Sequence, residues 1–173
     1  MLTKWNSSIS LPRDNYIVRV TDAQFGQSKG KGTPMITLSL EVVSPDVMPL
    51  PEGGEVTTAG INLKHYITTQ IMDDNGDVNV TKTEGAAARV KDLYEKFGLD
   101  YSTFDNNNPN VSPFIGKTVW ALLKAERMEK RRDATQEQKA KGELGSIIKD
   151  PITGKDQIIH FPKVESFYGE AQV

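Results

Sequence analysis

With 173 residues and 37% hydrophobic content, the chain can bury one real core and about one domain. Its 21 Lys and Arg against 23 Asp and Glu leave a net charge of -2, which excludes a uniformly basic protein that coats nucleic acid by bulk charge; any anion site must be local. Cysteine is absent, which excludes a disulfide framework, a thiolate zinc site and a cysteine nucleophile, and suits a reducing compartment.

The stretch Lys4, Trp5, Asn6, Ser7 and Ser8 has no apolar run of the signal-peptide kind, and no run approaches the length that spans a bilayer. A soluble, cytoplasmic protein with no membrane partner is expected. From Tyr16 to Phe25 the chain alternates, with Tyr16, Val18 and Val20 on one face and Arg19 and Thr21 on the other, the pattern of a half-buried strand. After the glycine-containing stretch Gly26 to Thr33, the run Met35 to Val43 alternates again: Ile36, Leu38, Leu40 and Val42 point one way, Thr37, Ser39 and Glu41 the other. These two strands read as a hairpin.

Ser44 to Thr57 carries Pro45, Pro49, Pro51, Gly53 and Gly54, so an irregular surface loop is expected. A third strand follows, with Ile61, Leu63, His65, Ile67 and Ile71 on one face and Asn62, Lys64, Tyr66, Thr68 and Gln70 opposite. The run Asp73, Asp74, Asn75, Gly76, Asp77 lacks the register of a calcium loop and reads as a hairpin turn. Ala86, Val90, Leu93, Tyr94 and Phe97 form one apolar stripe, which predicts a helix from Glu84 to Phe97. Thr81 and Glu84 have capping-box spacing, and Gly98 sits where a helix stop is expected.

Asn106 to Asn110 is loop chemistry. Strand four begins near Lys117, with Val119, Ala121 and Leu123 alternating with Trp120, Leu122 and Lys124, and a fifth strand runs from Ile158 to Lys163, with an extension past Pro162 to Phe167 allowed by the pattern. Between them, Ala134 to Ala140 carries a short helical pattern. The order strand, strand, strand, helix, strand, strand predicts an all-β fold with one short helix, a five-stranded oligonucleotide-binding (OB-fold) Greek-key barrel with extended loops, its lower end plugged by the helix. A single domain is expected over 1–173, its core at about 14–167 between flexible N- and C-terminal tails.

From Lys117 to Lys141 eight basic residues face four acidic ones, a local charge of +4, so the remainder carries -6. Arg127, Lys130, Arg131 and Arg132 in this connection can track a phosphate backbone; alternatively Glu126, Glu129, Asp133 and Glu137 pair with them as a solvated face. Lys29 and Lys31 in the first hairpin loop offer the same choice between a solubilising turn and a phosphate clamp. That loop is not a phosphate-cradling nucleotide motif, since three residues rather than four precede its Gly-Lys pair and a strand follows it.

Stacking platforms for bases are sought among strand aromatics. Tyr66 leads because its same-face neighbours, Lys64 among them, are polar; Trp120, out of phase with Val119 and beside Lys124, follows, with Trp5, Phe25 and Phe161 weaker. His65 and His160 lie in apolar patterns and read as structural. No nucleophile motif and no metal or cofactor signature is present, so an enzyme is not expected; a small nuclease would need clustered carboxylates holding a divalent metal.

The segments DNYIVRVTDAQ, the lysine-rich glycine loop, TPMITLSLEVV, IGKTVWALLKAER and ITGKDQIIHFPKVESF together resemble bacteriophage single-stranded DNA-binding proteins. The resemblance implies sequence-independent binding of single-stranded DNA during phage DNA replication, recombination and repair in the host cytoplasm. It also implies phage replication and recombination proteins as partners and oligomeric or cooperative assembly on DNA. Many such proteins end in an acidic tail, whereas Tyr168 to Val173 holds only Glu170 as a carboxylate side chain. The alternative is a phage structural or assembly protein whose barrel is a scaffold for protein contacts.

Overall fold

The computed structural model describes residues 11–28 and 32–173. They form two compact units: a body of Leu11–Lys124 with Lys163–Val173, and an insertion of Ala125–Pro162. The elements in chain order are β1 (Asp14–Gln27), β2 (Pro34–Ser44), β3 (Val47–Pro49), β4 (Glu55–Thr57), β5 (Asn62–Thr68), α1 (Val80–Lys96), a 3-10 turn (Ser112–Phe114), β6 (Thr118–Glu129), α2 (Gln136–Ala140) and β7 (Ile158–Glu170).

The five long strands make one sheet in the order β5-β2-β1-β6-β7, and β3 and β4 form a separate two-stranded ribbon. β1 pairs antiparallel with both β2 and β6, and β2 with β5. On the inner face Val18 pairs with Val42, Val20 with Leu40 and Ala23 with Leu38. The inner phase of β1 thus moves from even to odd positions, because a register shift between Val20 and Asp22 inserts an extra residue. That bulge breaks the strict alternation expected from Tyr16 onward, and a second shift between Ile17 and Val18 accompanies the burial of Ile17.

Three sequence expectations need correction. Ser44 to Thr57 is not irregular throughout: β3 and β4 pair there, with Pro49 at a strand end where its missing donor does no harm, and Gly53 and Gly54 turning the chain at positive φ. The third strand ends at Thr68, short of Ile71. The helix begins four residues before Glu84, because Asn79 is the N-cap: its Oδ1 accepts from the Lys82 amide at 2.9 Å, and no Thr81 capping box forms. The C-terminal end follows expectation, with Gly98 at φ 67° and the Leu99 amide donating to the Tyr94 carbonyl at 2.8 Å.

The predicted stripe of α1 is buried in full. Phe97 meets Phe114 and Phe167 edge-on at 5.2 and 5.1 Å, and Tyr94 meets Phe114 at 4.9 Å. The two edge strands also approach through side chains, since His65 of β5 and Phe167 of β7 stand 5.1 Å apart, nearly perpendicular. Burial, and then the Lys163 ammonium, push the pKa of the half-buried His65 down from the ordinary histidine value. β7 runs past Phe167 to Glu170, and the Ala171 amide donates to the Thr118 carbonyl at 2.9 Å.

Tyr16 is wholly buried, and its hydroxyl donates to the Pro12 carbonyl at 2.8 Å. Burial, reinforced by the Asp14 carboxylate, pushes its pKa up to about 12. A folded-state value above the ordinary tyrosine value means that the stabilisation is complete below about pH 10 and is lost as the pH rises towards about 12. Tyr16→Phe should therefore flatten the loss of stability across that interval in urea unfolding; an unchanged slope would contradict the assignment.

Candidate nucleic-acid interface

The outer face of the body sheet is assembled from residues opposite the core in each strand. Read across the ladder, Tyr66 lies beside Thr37 and then Gln24, Lys64 beside Ser39 and then Asp22, and Asn62 beside Glu41, Arg19 and Thr118. Farther along, Ile17 pairs with Trp120 and Asn15 with Leu122. Lys64 is exposed and Lys124 half-buried, and neither makes an ion pair among the described residues. The face is polar and mixed in charge, with Lys64 and Arg19 set among Asp22 and Glu41, so it does not attract a polyanion by charge alone.

Two large aromatics stand exposed on this face, which also holds Ile17 and Leu122 at its β6 end. Tyr66 is 54% and Trp120 43% exposed, values at which neither ring serves the core. The ladder separates them by three strand steps, about 14 Å, and by the length of β1 from Ile17 to Gln24, about 20 Å along the sheet. They are two stations on one surface and not a single platform. Phe25 is in register with buried Ile36, which disfavours it as a platform, and Trp5 lies outside the described residues. Sequence reasoning missed Tyr168, 52% exposed on β7, because it ended that strand at Phe167.

Single substitutions to Ala at Tyr66 and Trp120 should each weaken oligo-dT binding by about 1–3 kcal/mol if bases stack there. Sites this far apart should add within about 0.5 kcal/mol in the double variant, while the unfolding midpoint stays at the wild-type value because both rings are exposed. Strong coupling in a double-mutant cycle read by fluorescence anisotropy would show that the two-station geometry is wrong.

The first hairpin loop leaves β1 and enters β2 through a Ser28 amide to Thr33 carbonyl bond of 2.8 Å. Lys29 and Lys31 lie outside the described residues.

The insertion is tied together by backbone hydrogen bonds. The Lys130 amide donates to Gln157, the Ile148 amide to Lys130 and the Gln157 amide to Ile148, at 2.8, 2.8 and 2.9 Å, and Arg131 bridges Ile147. α2, within the expected helical stretch, starts with a capping box between Thr135 and Gln138. Asp150 accepts from the Ile152 and Thr153 amides at 2.8 and 2.9 Å, and those bonds hold its carboxyl below the usual range. Part of this segment's charge is paired within it. Lys141 pairs with Glu137 at 3.2 Å, Lys149 pairs with Asp156, and Arg131 pairs with Glu129 at 3.0 Å. Arg127, Lys130 and Arg132 make no ion pair with another described residue. Over the whole of Ala125–Pro162 eight basic residues face seven acidic ones, so the +4 of Lys117 to Lys141 shrinks to +1.

Arg131 differs from its neighbours. Its Nη1 donates to the Gly145 carbonyl at 2.9 Å and its Nη2 to Glu129 at 3.0 Å, so its donors brace the insertion. Among the described residues no group of three or more His, Cys, Asp and Glu side chains is placed to hold a metal ion, and no helix is long and apolar enough to cross a membrane. Compared with known protein families and with curated proteins, the chain matches no family model and no curated sequence.

Proposed function

We propose that this chain binds single-stranded DNA without sequence preference, laying bases on the outer sheet face and engaging phosphates with the cations of its two loops. The observation that carries this reading is the exposure of Tyr66 and Trp120 on the outer sheet face, Tyr66 among polar neighbours and Trp120 beside Ile17. Flat rings offered to solvent from a strand are what base stacking requires, and stacking is tolerant of sequence because every base has a π-face.

The connectivity supports it. The five long strands in the order β5-β2-β1-β6-β7, with α1 between β5 and β6, follow the strand order of an OB-fold, and we read the sheet as that barrel. In such a fold the connections β1 to β2 and β6 to β7 commonly contact the ligand, so we assign phosphate contacts to Lys29 and Lys31 of the first and to Arg127, Lys130 and Arg132 of the second. Arg131 acts chiefly as a brace. No metal or nucleotide takes part. On the phage resemblance, we assign this activity to replication, recombination and repair in the host cytoplasm, alongside other replication proteins.

A role in particle assembly is the competing reading, and exposed Leu144 and Ile152, at 71% and 92%, favour it as apolar contact points. Gel filtration with and without a short oligo-dT separates the two. A DNA-binding protein co-elutes with the strand; an assembly protein forms defined oligomers and ignores it.

A further inference from the structure

Within the insertion, Arg127, Met128, Glu129, Arg131, Leu144 and Ile158 line an open crevice of about 430 Å³. We propose that this crevice receives one unstacked base of a bound single strand, with the adjoining phosphate held outside by Arg127. The proposal rests on the single-strand reading above and specifies the part of the ligand that the insertion recognises.

The lining selects the occupant. Met128, Leu144 and Ile158 give apolar walls, and Met128 and Leu144 are 46% and 71% exposed, so side chains that would ordinarily be covered are open to solvent. The three aliphatic walls offer a phosphate no donor, and the Arg131 charge is already part-neutralised by Glu129, so a phosphate is better met by Arg127 than by the interior. A base is uncharged, with apolar faces and a polar edge, and the volume accommodates it.

Arg131 supplies the second argument. Its bonds to Gly145 and Glu129 use two of the five guanidinium N–H donors and hold a part-neutralised cation in place at the crevice. Bases stack on guanidinium planes. Arg127, exposed and without an ion pair among the described residues, stands at the same crevice to meet the negative charge that travels with the base. Charge complementarity thus favours a nucleotide over an apolar peptide.

The test compares oligo-dT with a fully abasic strand of equal length, using the full chain. Wild type should bind oligo-dT more tightly than the abasic strand. Leu144→Gln, at an exposed position that holds no core, should weaken oligo-dT binding about fivefold or more and leave the abasic strand unchanged, while Leu144→Met should behave as wild type. Arg127→Ala should weaken both ligands.

Wild-type affinity for oligo-dT in Leu144→Gln would overturn the proposal, as would an equal loss for both strands. An oligomer that Leu144→Gln dissociates with DNA affinity unchanged would assign the crevice to a second copy and overturn it too. If wild type binds neither strand, the single-strand reading itself fails, an outcome distinct from all of these.

Discussion

Gly145→Ala is expected to unravel the Ala125–Pro162 insertion while leaving the body folded. Gly145 is buried, and a Cβ there would overlap the carbonyl oxygen of Arg132 and stand 3.1 Å from the Ala134 amide nitrogen. The obstacle is backbone, so no rotamer change relieves it, and the Arg132 amide is itself tied to the Ser146 carbonyl at 2.9 Å. Parting those segments also breaks the Arg131 bond to the Gly145 carbonyl. Overpacking of this kind costs about 1–3 kcal/mol or more, which is large for a unit with few buried apolar residues. Amide hydrogen exchange should show lost protection at Lys130, Arg132, Ile148 and Gln157, with β1, β2 and β5 unchanged. Oligo-dT affinity should fall with it, because Arg127, Lys130 and Arg132 lose their fixed positions. Wild-type protection across the insertion would contradict this account of the glycine.

Phe97→Ala should be the most damaging change in the body. The ring is wholly buried at the C-terminal end of α1 and makes edge-on contacts to Phe114 before β6 and to Phe167 on β7, at 5.2 and 5.1 Å. One side chain therefore joins the helix, the 3-10 turn and the last strand. Truncation of such a residue costs about 3–5 kcal/mol, much of the roughly 5–15 kcal/mol that separates folded from unfolded domains. Urea unfolding should show a lower midpoint with an unchanged slope. A loss below about 1 kcal/mol would mean that the cluster is not the keystone drawn here.

Much of the body was legible in the sequence because its strands alternate cleanly. Ile36, Leu38, Leu40 and Val42 are all buried on one face, and the stripe from Ala86 to Phe97 is buried as its spacing predicted. What was misread has local causes. The bulge between Val20 and Asp22 shifts the phase of β1 by one residue, which period counting cannot see. The helix start was placed late because the apolar stripe begins late, although Asn79 is itself a favourable cap. The ribbon of β3 and β4 escaped because three prolines suggested loop, whereas only Pro49 lies in a strand, at its end.

The candidate site was legible by type more than by arrangement. Tyr66 and Trp120 could be singled out from strand phase, and both are exposed, but only the ladder reveals how far apart they lie. The +4 of Lys117 to Lys141 does not describe the insertion, because that stretch includes Lys117 and Lys124 of the body and stops before Glu143, Lys149, Asp150, Lys155 and Asp156, and the Arg131 bonds to Glu129 and Gly145 depend on a fold of that segment that no periodicity announced.

The most direct test of the central claim is an oligo-dT titration followed by tryptophan fluorescence and repeated over a salt series. The account predicts quenching that vanishes in Trp120→Phe, preference for single strand over duplex, and a log-log salt slope of about -0.7 per phosphate neutralised. Absence of binding at low salt, or an affinity indifferent to salt and strandedness, would contradict it.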